Sequence, residues 1–77
     1  MVHMKNVKRC QRAEDVVRTY AARTRLSLAV DRDTAVCDLL ADLMHYADAE
    51  GIDFDAQLEQ ARVHHLAERD GREEELI

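Results

Sequence analysis

The sequence predicts a small all-α domain of three helices, in which the last two helices form an antiparallel hairpin. Proline is absent and glycine occurs only at Gly51 and Gly71, whereas an all-β chain needs many turn residues. With only three aromatic residues, the interior has to consist of leucine, valine, methionine and alanine, and alanine and leucine have high helix propensities. Apolar residues also recur at steps of three and four, the spacing that places them on one face of a helix.

The first predicted helix runs from about Lys5 to Arg23. Glu14 and Arg18 have the i,i+4 spacing of a favourable ion pair. The next segment, RLSLAV, alternates apolar and polar residues, but no other part of the chain is a candidate β-strand that could pair with it. We therefore predict an extended connector whose apolar side chains lie on the core, with a continuation of the first helix as the alternative. The apolar face of the first helix consists of Val7, Cys10, Ala13, Val17, Tyr20 and Ala21.

The second predicted helix runs from about Thr34 to Glu50 and has the strongest periodicity in the chain. Asp31 or Asp33 is expected to cap it, because a short carboxylate accepts the free N–H groups of the first turn. Gly51 is expected to end the helix, because glycine adopts the left-handed conformation of a C-cap. Its apolar residues, which fall within roughly 140° of the helical projection, are Val36, Leu39, Leu40, Leu43, Met44 and Ala47.

A third helix is predicted to follow an Asp53 cap, with Asp55 in the first turn, where the helix dipole favours a negative charge. The helix is expected to fade near Asp70 and Gly71. Residues 1–77 are predicted to be one domain, with residues 1–4 and 71–77 frayed. The narrow apolar face of this helix consists of Phe54, Leu58, Ala61 and His65, with Leu66 at its flank.

A chain of 77 residues buries too little apolar surface for a robust core of its own. A single core in a chain this short rarely supplies more than about 3–5 kcal/mol. We therefore predict a homodimer, because a second copy would cover the surplus leucines. The predicted core and self-association face comprises Val36, Leu39, Leu40, Leu43, Met44, Ala47, Phe54 and Leu58.

Charge is distributed unevenly along the chain, whose net charge is −5. Residues 1–25 contain seven Lys and Arg against two acids, and residues 26–77 contain four Arg against fourteen acids. The acidic part predicts a non-enzymatic interaction or accessory protein that binds a basic protein partner through a helical surface. The predicted interaction face comprises Asp38, Asp42, Asp48, Asp53 and Asp55.

Several other function classes lack their sequence signatures. No apolar run approaches the ~18 residues of a membrane span, and the first ten residues lack the apolar segment of a signal peptide. Cys10 and Cys37 have neither metal-ligand spacing nor the density of a disulfide scaffold. We therefore expect reduced thiols in a cytoplasmic protein, with a Cys10–Cys37 bridge as the alternative if their helices pack. Two glycines cannot form a phosphate-binding loop, and we predict no cofactor.

Two weaker site hypotheses come from residue spacing. Asp38, Asp42 and His45, at i, i+4 and i+7, are candidate metal ligands. However, they face away from the leucines and from His65, so a solvated face is the alternative and no metal is predicted. Nucleic-acid binding is not predicted, because duplex binding relies on cationic contacts and the domain is acidic. Since the second and third helices could mimic a helix-turn-helix, a small DNA-associated regulator is kept as an alternative function.

The segment DLLADLMHYADAEGIDFDAQLEQARVHHLAE, residues 38–68, resembles a group of small bacterial proteins encoded on plasmids, phages and integrated elements. The resemblance rests on LLADLMH, on the G-x-D-F turn and on A-R-x-H-x-x-A-E. It covers about thirty residues and implies no particular activity.

The GID turn at residues 51–53 also resembles that of the MazG-like all-α nucleoside triphosphate pyrophosphatases, in which a helix with an E-x-x-D metal motif precedes the turn. Asp38 lies where the Asp of that motif would lie, but Ala35 replaces its partner acid. The upstream E-x-x-E motif has no counterpart, because neither Glu14 nor Asp15 has an acid three residues later. The resemblance implies, as an alternative function, a degenerate Mg²⁺-dependent pyrophosphatase.

Overall fold

The computed structural model describes residues 4–71, which form three α-helices and no β-strand. Helix α1 spans Met4–Thr24, α2 spans Arg32–Glu50 and α3 spans Phe54–Asp70. The predicted all-α class and the three helices are thereby confirmed. The predicted frayed ends lie outside the described residues, except that Met4 begins α1 and Gly71 follows α3.

Helix α1 is followed by a residue with a left-handed backbone, Arg25, whose φ is 62°. The next N–H group, of Leu26, donates to the carbonyl of Ala21 at 2.9 Å. This bond satisfies one of the last carbonyls of the helix, which have no helical partner. The first helix therefore does not continue through the connector.

The connector itself differs from the predicted extended segment. The N–H groups of Val30 and Asp31 both donate to the carbonyl of Ser27, at 3.1 and 2.6 Å, and so close a tight turn. An isolated extended strand would leave these backbone groups without protein partners, which explains why the turn is preferred. Leu26 and Leu28 are half-buried as expected, whereas Val30 is 80% exposed.

Asp31 is the N-cap residue of α2, but its carboxylate does not bond to the first turn of that helix. Its Oδ2 atom instead accepts a hydrogen bond from the N–H of Ser27 at 3.1 Å, on the connector side. The helix therefore begins at Arg32, two residues before the predicted start, and the predicted carboxylate cap of α2 is wrong.

The turn between α2 and α3 follows the prediction closely. Gly51 has a left-handed backbone with φ 68° and ψ 31°, and the N–H of Ile52 donates to the carbonyl of Ala47 at 2.8 Å. These are the features of a glycine C-cap. Asp53 Oδ1 then accepts a hydrogen bond from the N–H of Ala56 at 3.0 Å and caps α3 as predicted.

The first turns of α1 are joined to the last turns of α3 by polar contacts. Asn6 Nδ2 donates to the carbonyl of Glu68 at 3.0 Å, and Arg9 Nε lies 3.5 Å from Glu68 Oε1. Arg9 Nη1 also donates to Asn6 Oδ1 at 2.7 Å, which orients the amide. Because the two segments are about sixty positions apart in sequence, these contacts close the three-helix arrangement.

The interior of a single chain is very small. No large side chain among the described residues is fully buried, and the radius of gyration is 14.4 Å, against about 11.5 Å for a compact chain of this length. Of the predicted core face, Ala47 is buried and Leu39 and Phe54 are half-buried, but the other five members are exposed. The buried apolar side chains are Ala21, Ala35, Ala47 and Ala67.

Candidate interaction surface

Four apolar side chains of α2 form an exposed ridge. Val36, Leu40, Leu43 and Met44 keep 43%, 44%, 41% and 49% of their surface accessible. At 3.6 residues per turn they share a sector of about 100°, so they face one side of the helix. We call these four residues the α2 ridge. Single exposed apolar side chains are ordinary, but a continuous row on one helix face is typical of a contact surface.

The ridge stays exposed because α1 approaches α2 along a different side. Ala35 is completely buried and lies between Arg32 and Asp42, the two residues of α2 that bond to α1. At 100° per residue, Leu40 and Met44 point about 140° and 180° away from Ala35, so they face away from this contact. The helices therefore approach each other at alanine, and the larger ridge side chains remain available.

Glu14 is the centre of the ionic contact between α1 and α2. Both of its carboxylate oxygens accept hydrogen bonds from Arg32 Nη1, at 3.0 and 2.8 Å. Oε1 also accepts one from Arg18 Nη2 at 2.8 Å, which confirms the predicted i,i+4 pair. The hydrogen bond from Arg32 is the main reason why the pKa of Glu14 is lowered from its ordinary value, and Arg18 adds to this effect.

A second contact between the same helices joins Tyr20 to Asp42. The phenol hydroxyl donates to Asp42 Oδ2 at 2.5 Å. The hydrogen bond to this carboxylate, followed by desolvation and by the negative charges of Asp42 and Asp38, raises the pKa of Tyr20 to about 12. One member of the predicted acidic face is therefore used within the chain.

The five predicted interaction aspartates have different surroundings. Asp42 is bound to α1, and Asp53 caps α3. Asp38, Asp48 and Asp55 are exposed, and their carboxylates form no hydrogen bond or ion pair with the described residues. Only these three keep an unpaired carboxylate that a partner could contact.

Two features of α1 were not identified as site elements from the sequence. Lys8, Arg12 and Arg23 are exposed, and their side chains form no hydrogen bond or ion pair within residues 4–71. An open groove of about 370 Å³ also lies between α1 and α2. The cations could have been recognised from their spacing on one helix face, whereas the groove depends on how two helices pack. The groove is lined by Asp15, Val16, Thr19, Tyr20, Arg23 and Leu39.

The candidate metal ligands are not gathered into a site. Asp38 and His45 are exposed, and Asp42 bonds to α1. Within residues 4–71 no group of three or more His, Cys, Asp and Glu side chains is arranged to hold a metal ion. His65, which the sequence placed on the narrow apolar face of the third helix, is exposed. His64 contacts Gln60, with 3.2 Å between Nε2 atoms.

The cysteines do not form the bridge that was considered as an alternative. Cys10 and Cys37 are both free thiols with exposed side chains. Cys37 precedes Leu40 by three residues and Met44 by seven, so it lies beside the α2 ridge. Its thiol is therefore a chemical reporter for any partner that covers the ridge.

Comparison of the chain with protein-family models, with curated protein sequences and with solved structures found no match. Among the described helices, none has the length and apolar character needed to cross a bilayer.

The resemblance to MazG-like pyrophosphatases stays a prediction. Ala35, which replaces an acid of that family's motif, is fully buried, whereas Asp38 is exposed.

Proposed function

We propose that this protein is a cytoplasmic, non-enzymatic interaction protein that forms a dimer through the α2 ridge. In this proposal α2 and α3 form an antiparallel hairpin, and their acidic charge favours a basic surface on the partner. The observation that supports the proposal most directly is the exposure of the α2 ridge in a chain whose buried apolar side chains, within residues 5–71, are four alanines.

The accessible area supports a large contact. The chain exposes 6487 Å², whereas a compact monomer of this mass exposes roughly 4,800 Å². The excess is therefore roughly 1,700 Å². This excess is larger than the roughly 800 Å² that each partner buries in a standard interface.

The small interior supports the same proposal. Alanine side chains bury little area, and the hydrophobic contribution to folding scales with the apolar area removed from water. A chain with this interior gains further hydrophobic stabilisation when a partner covers the α2 ridge. Association and folding are then linked, as they are in obligate dimers.

The proposal is tested by measuring the mass of the protein in solution over a range of concentrations. We expect a dimer whose melting temperature rises with protein concentration, because a partner that binds only the folded chain stabilises it by mass action. Leu40→Asp is expected to give a monomer or an unfolded chain, since burying an unpaired carboxylate is strongly unfavourable. A wild-type chain that stays folded and monomeric at every concentration would contradict the proposal.

The matched control is Val30→Asp, because Val30 is an exposed apolar residue in the connector and lies outside the ridge. It is expected to leave the mass unchanged. A second readout needs no variant: Cys37 should react more slowly with an alkylating reagent as the protein concentration rises, while Cys10 reports the general reactivity of exposed thiols. Equal protection of both thiols, or of neither, would place the contact away from the ridge and reject the proposal.

A further inference from the structure

We infer that the basic surface facing the α2 ridge is α1 of the second copy, so that the two copies pair through unlike helices. The inference rests on the proposed dimer and names what each ridge contacts. In this arrangement the ridge of one copy docks against the outer face of the partner's α1. The same contact is made twice, as a two-fold dimer requires.

The three helices carry different net charges. Helix α1 contains six Lys and Arg against two acids, for a net charge of +4. Helix α2 contains one Arg against five acids, for −4, and α3 contains two Arg against four acids, for −2. The only positive helix is therefore α1, and the helix that bears the apolar ridge has an equal and opposite charge.

Much of this charge is not neutralised inside the chain. Arg12 and Arg23 are exposed, unpaired and eleven residues apart, which is three helical turns, so they share the outer face of α1. Asp33 and Asp48 are exposed and unpaired on α2, where they flank the two ends of the ridge. Each copy therefore presents cations on one helix and anions beside the apolar row of another.

The outer face of α1 also includes an exposed apolar side chain. Val16 lies between the two arginines and is 54% exposed. It lines the open groove of about 370 Å³ together with Tyr20 and Leu39. This groove is the part of the α1 face that can receive aliphatic side chains of the partner's ridge, while Arg23 at its edge meets acidic charge.

Electrostatics decides between this pairing and its alternatives. Contact of α1 with α1, or of α2 with α2, would bring together two helices of charge +4 or two of charge −4. Like charges placed opposite one another at an interface weaken it, whereas complementary charges steer association and fix the register. Pairing α1 of one copy with α2 of the other therefore covers the apolar ridge and brings opposite charges together in one arrangement.

The inference is tested by charge reversal on each side of the contact. Arg12→Glu with Arg23→Glu is expected to weaken the dimer about tenfold or more, and Asp33→Lys with Asp48→Lys is expected to do the same. Mixing the two variant chains should restore a dimer, because each reversed helix then meets its complement. The control is Glu59→Lys, which reverses an exposed carboxylate of α3 outside the predicted interaction face and should leave the dissociation constant unchanged.

A second test, which needs no variant, is to measure dimerisation at different ionic strengths. Added sodium chloride screens exposed charges, so it should weaken an unlike pairing and strengthen a like one. Three results would overturn the inference but not the proposed function, provided that dimerisation still depends on Leu40. They are a dimer that binds more tightly at high salt, a dissociation constant that the charge reversals do not change, and association into an open polymer. A monomeric wild type would overturn both.

Discussion

The phenol hydroxyl of Tyr20 donates a hydrogen bond to Oδ2 of Asp42, 2.5 Å away, and so joins α1 to α2. The bond requires a protonated phenol, because the hydroxyl is its donor. Ionisation of Tyr20 would place two negative charges in contact, and Asp38 would add a third nearby. This is the physical reason why the pKa of Tyr20 rises from its ordinary value of 10.0 to about 12.

This contact predicts a loss of stability in strong alkali. Because folding raises the pKa of Tyr20, its contribution is complete below pH 10 and is lost as the pH rises towards 12. In denaturant titrations at increasing pH, Tyr20→Phe should remove this component of the pH dependence, whereas Tyr46→Phe should not. In the Tyr46→Phe chain, the ultraviolet absorbance of the remaining phenol should change near pH 12. A change near pH 10 would contradict the contact.

Acid should weaken the other contact between α1 and α2. Folding lowers the pKa of Glu14 because Arg32 and Arg18 bind the carboxylate. Its contribution is therefore present above about pH 4.5 and is lost as the pH falls through the lowered value. Glu14→Gln should make the stability less dependent on pH in this acid range. Asp15→Asn, which changes the neighbouring carboxylate and leaves the contact of Glu14 with Arg32 in place, is the control.

Replacing Gly51 should reveal the cost of the left-handed turn. Its φ is 68°, and an added Cβ would meet no atom within 4 Å, so any penalty arises from the backbone and not from a clash. We expect Gly51→Ala to destabilise the folded state by about 1 kcal/mol, measured by denaturant unfolding at fixed protein concentration. Gly51→Asn should cost less, because asparagine tolerates this conformation better. Equal stability of all three chains would argue against the cap.

Nucleotide addition distinguishes the interaction protein from the pyrophosphatase alternative. Mg²⁺ with a bound triphosphate is usually held by several carboxylates, and the residue three positions before Asp38 is the buried Ala35. We therefore expect Mg²⁺ and nucleoside triphosphates to leave the melting temperature unchanged and to release no pyrophosphate. Release of pyrophosphate by the wild type and its loss in Asp38→Ala would favour the enzyme instead.

The positions of the helices could be read from local signals. The i,i+3 and i,i+4 apolar spacing predicted three helices, and the Gly51 and Asp53 caps have the predicted conformation and hydrogen bond. The connector was less predictable, because its apolar alternation suggested an extended segment. The N–H groups of Val30 and Asp31 bond to the nearby Ser27 carbonyl instead, and this preference is not encoded in the alternation of side chains.

The sequence by itself determined which residues form helices and which side of α2 is apolar, because backbone hydrogen bonds and caps involve residues close together in the chain. Only the tertiary structure decided that Ala35 and not Leu40 lies buried, that Asp42 is bound to Tyr20 and that a groove opens beside Val16. These outcomes depend on the angle and distance at which helices approach each other. Contacts between residues far apart in sequence set that approach, and helical periodicity does not specify them.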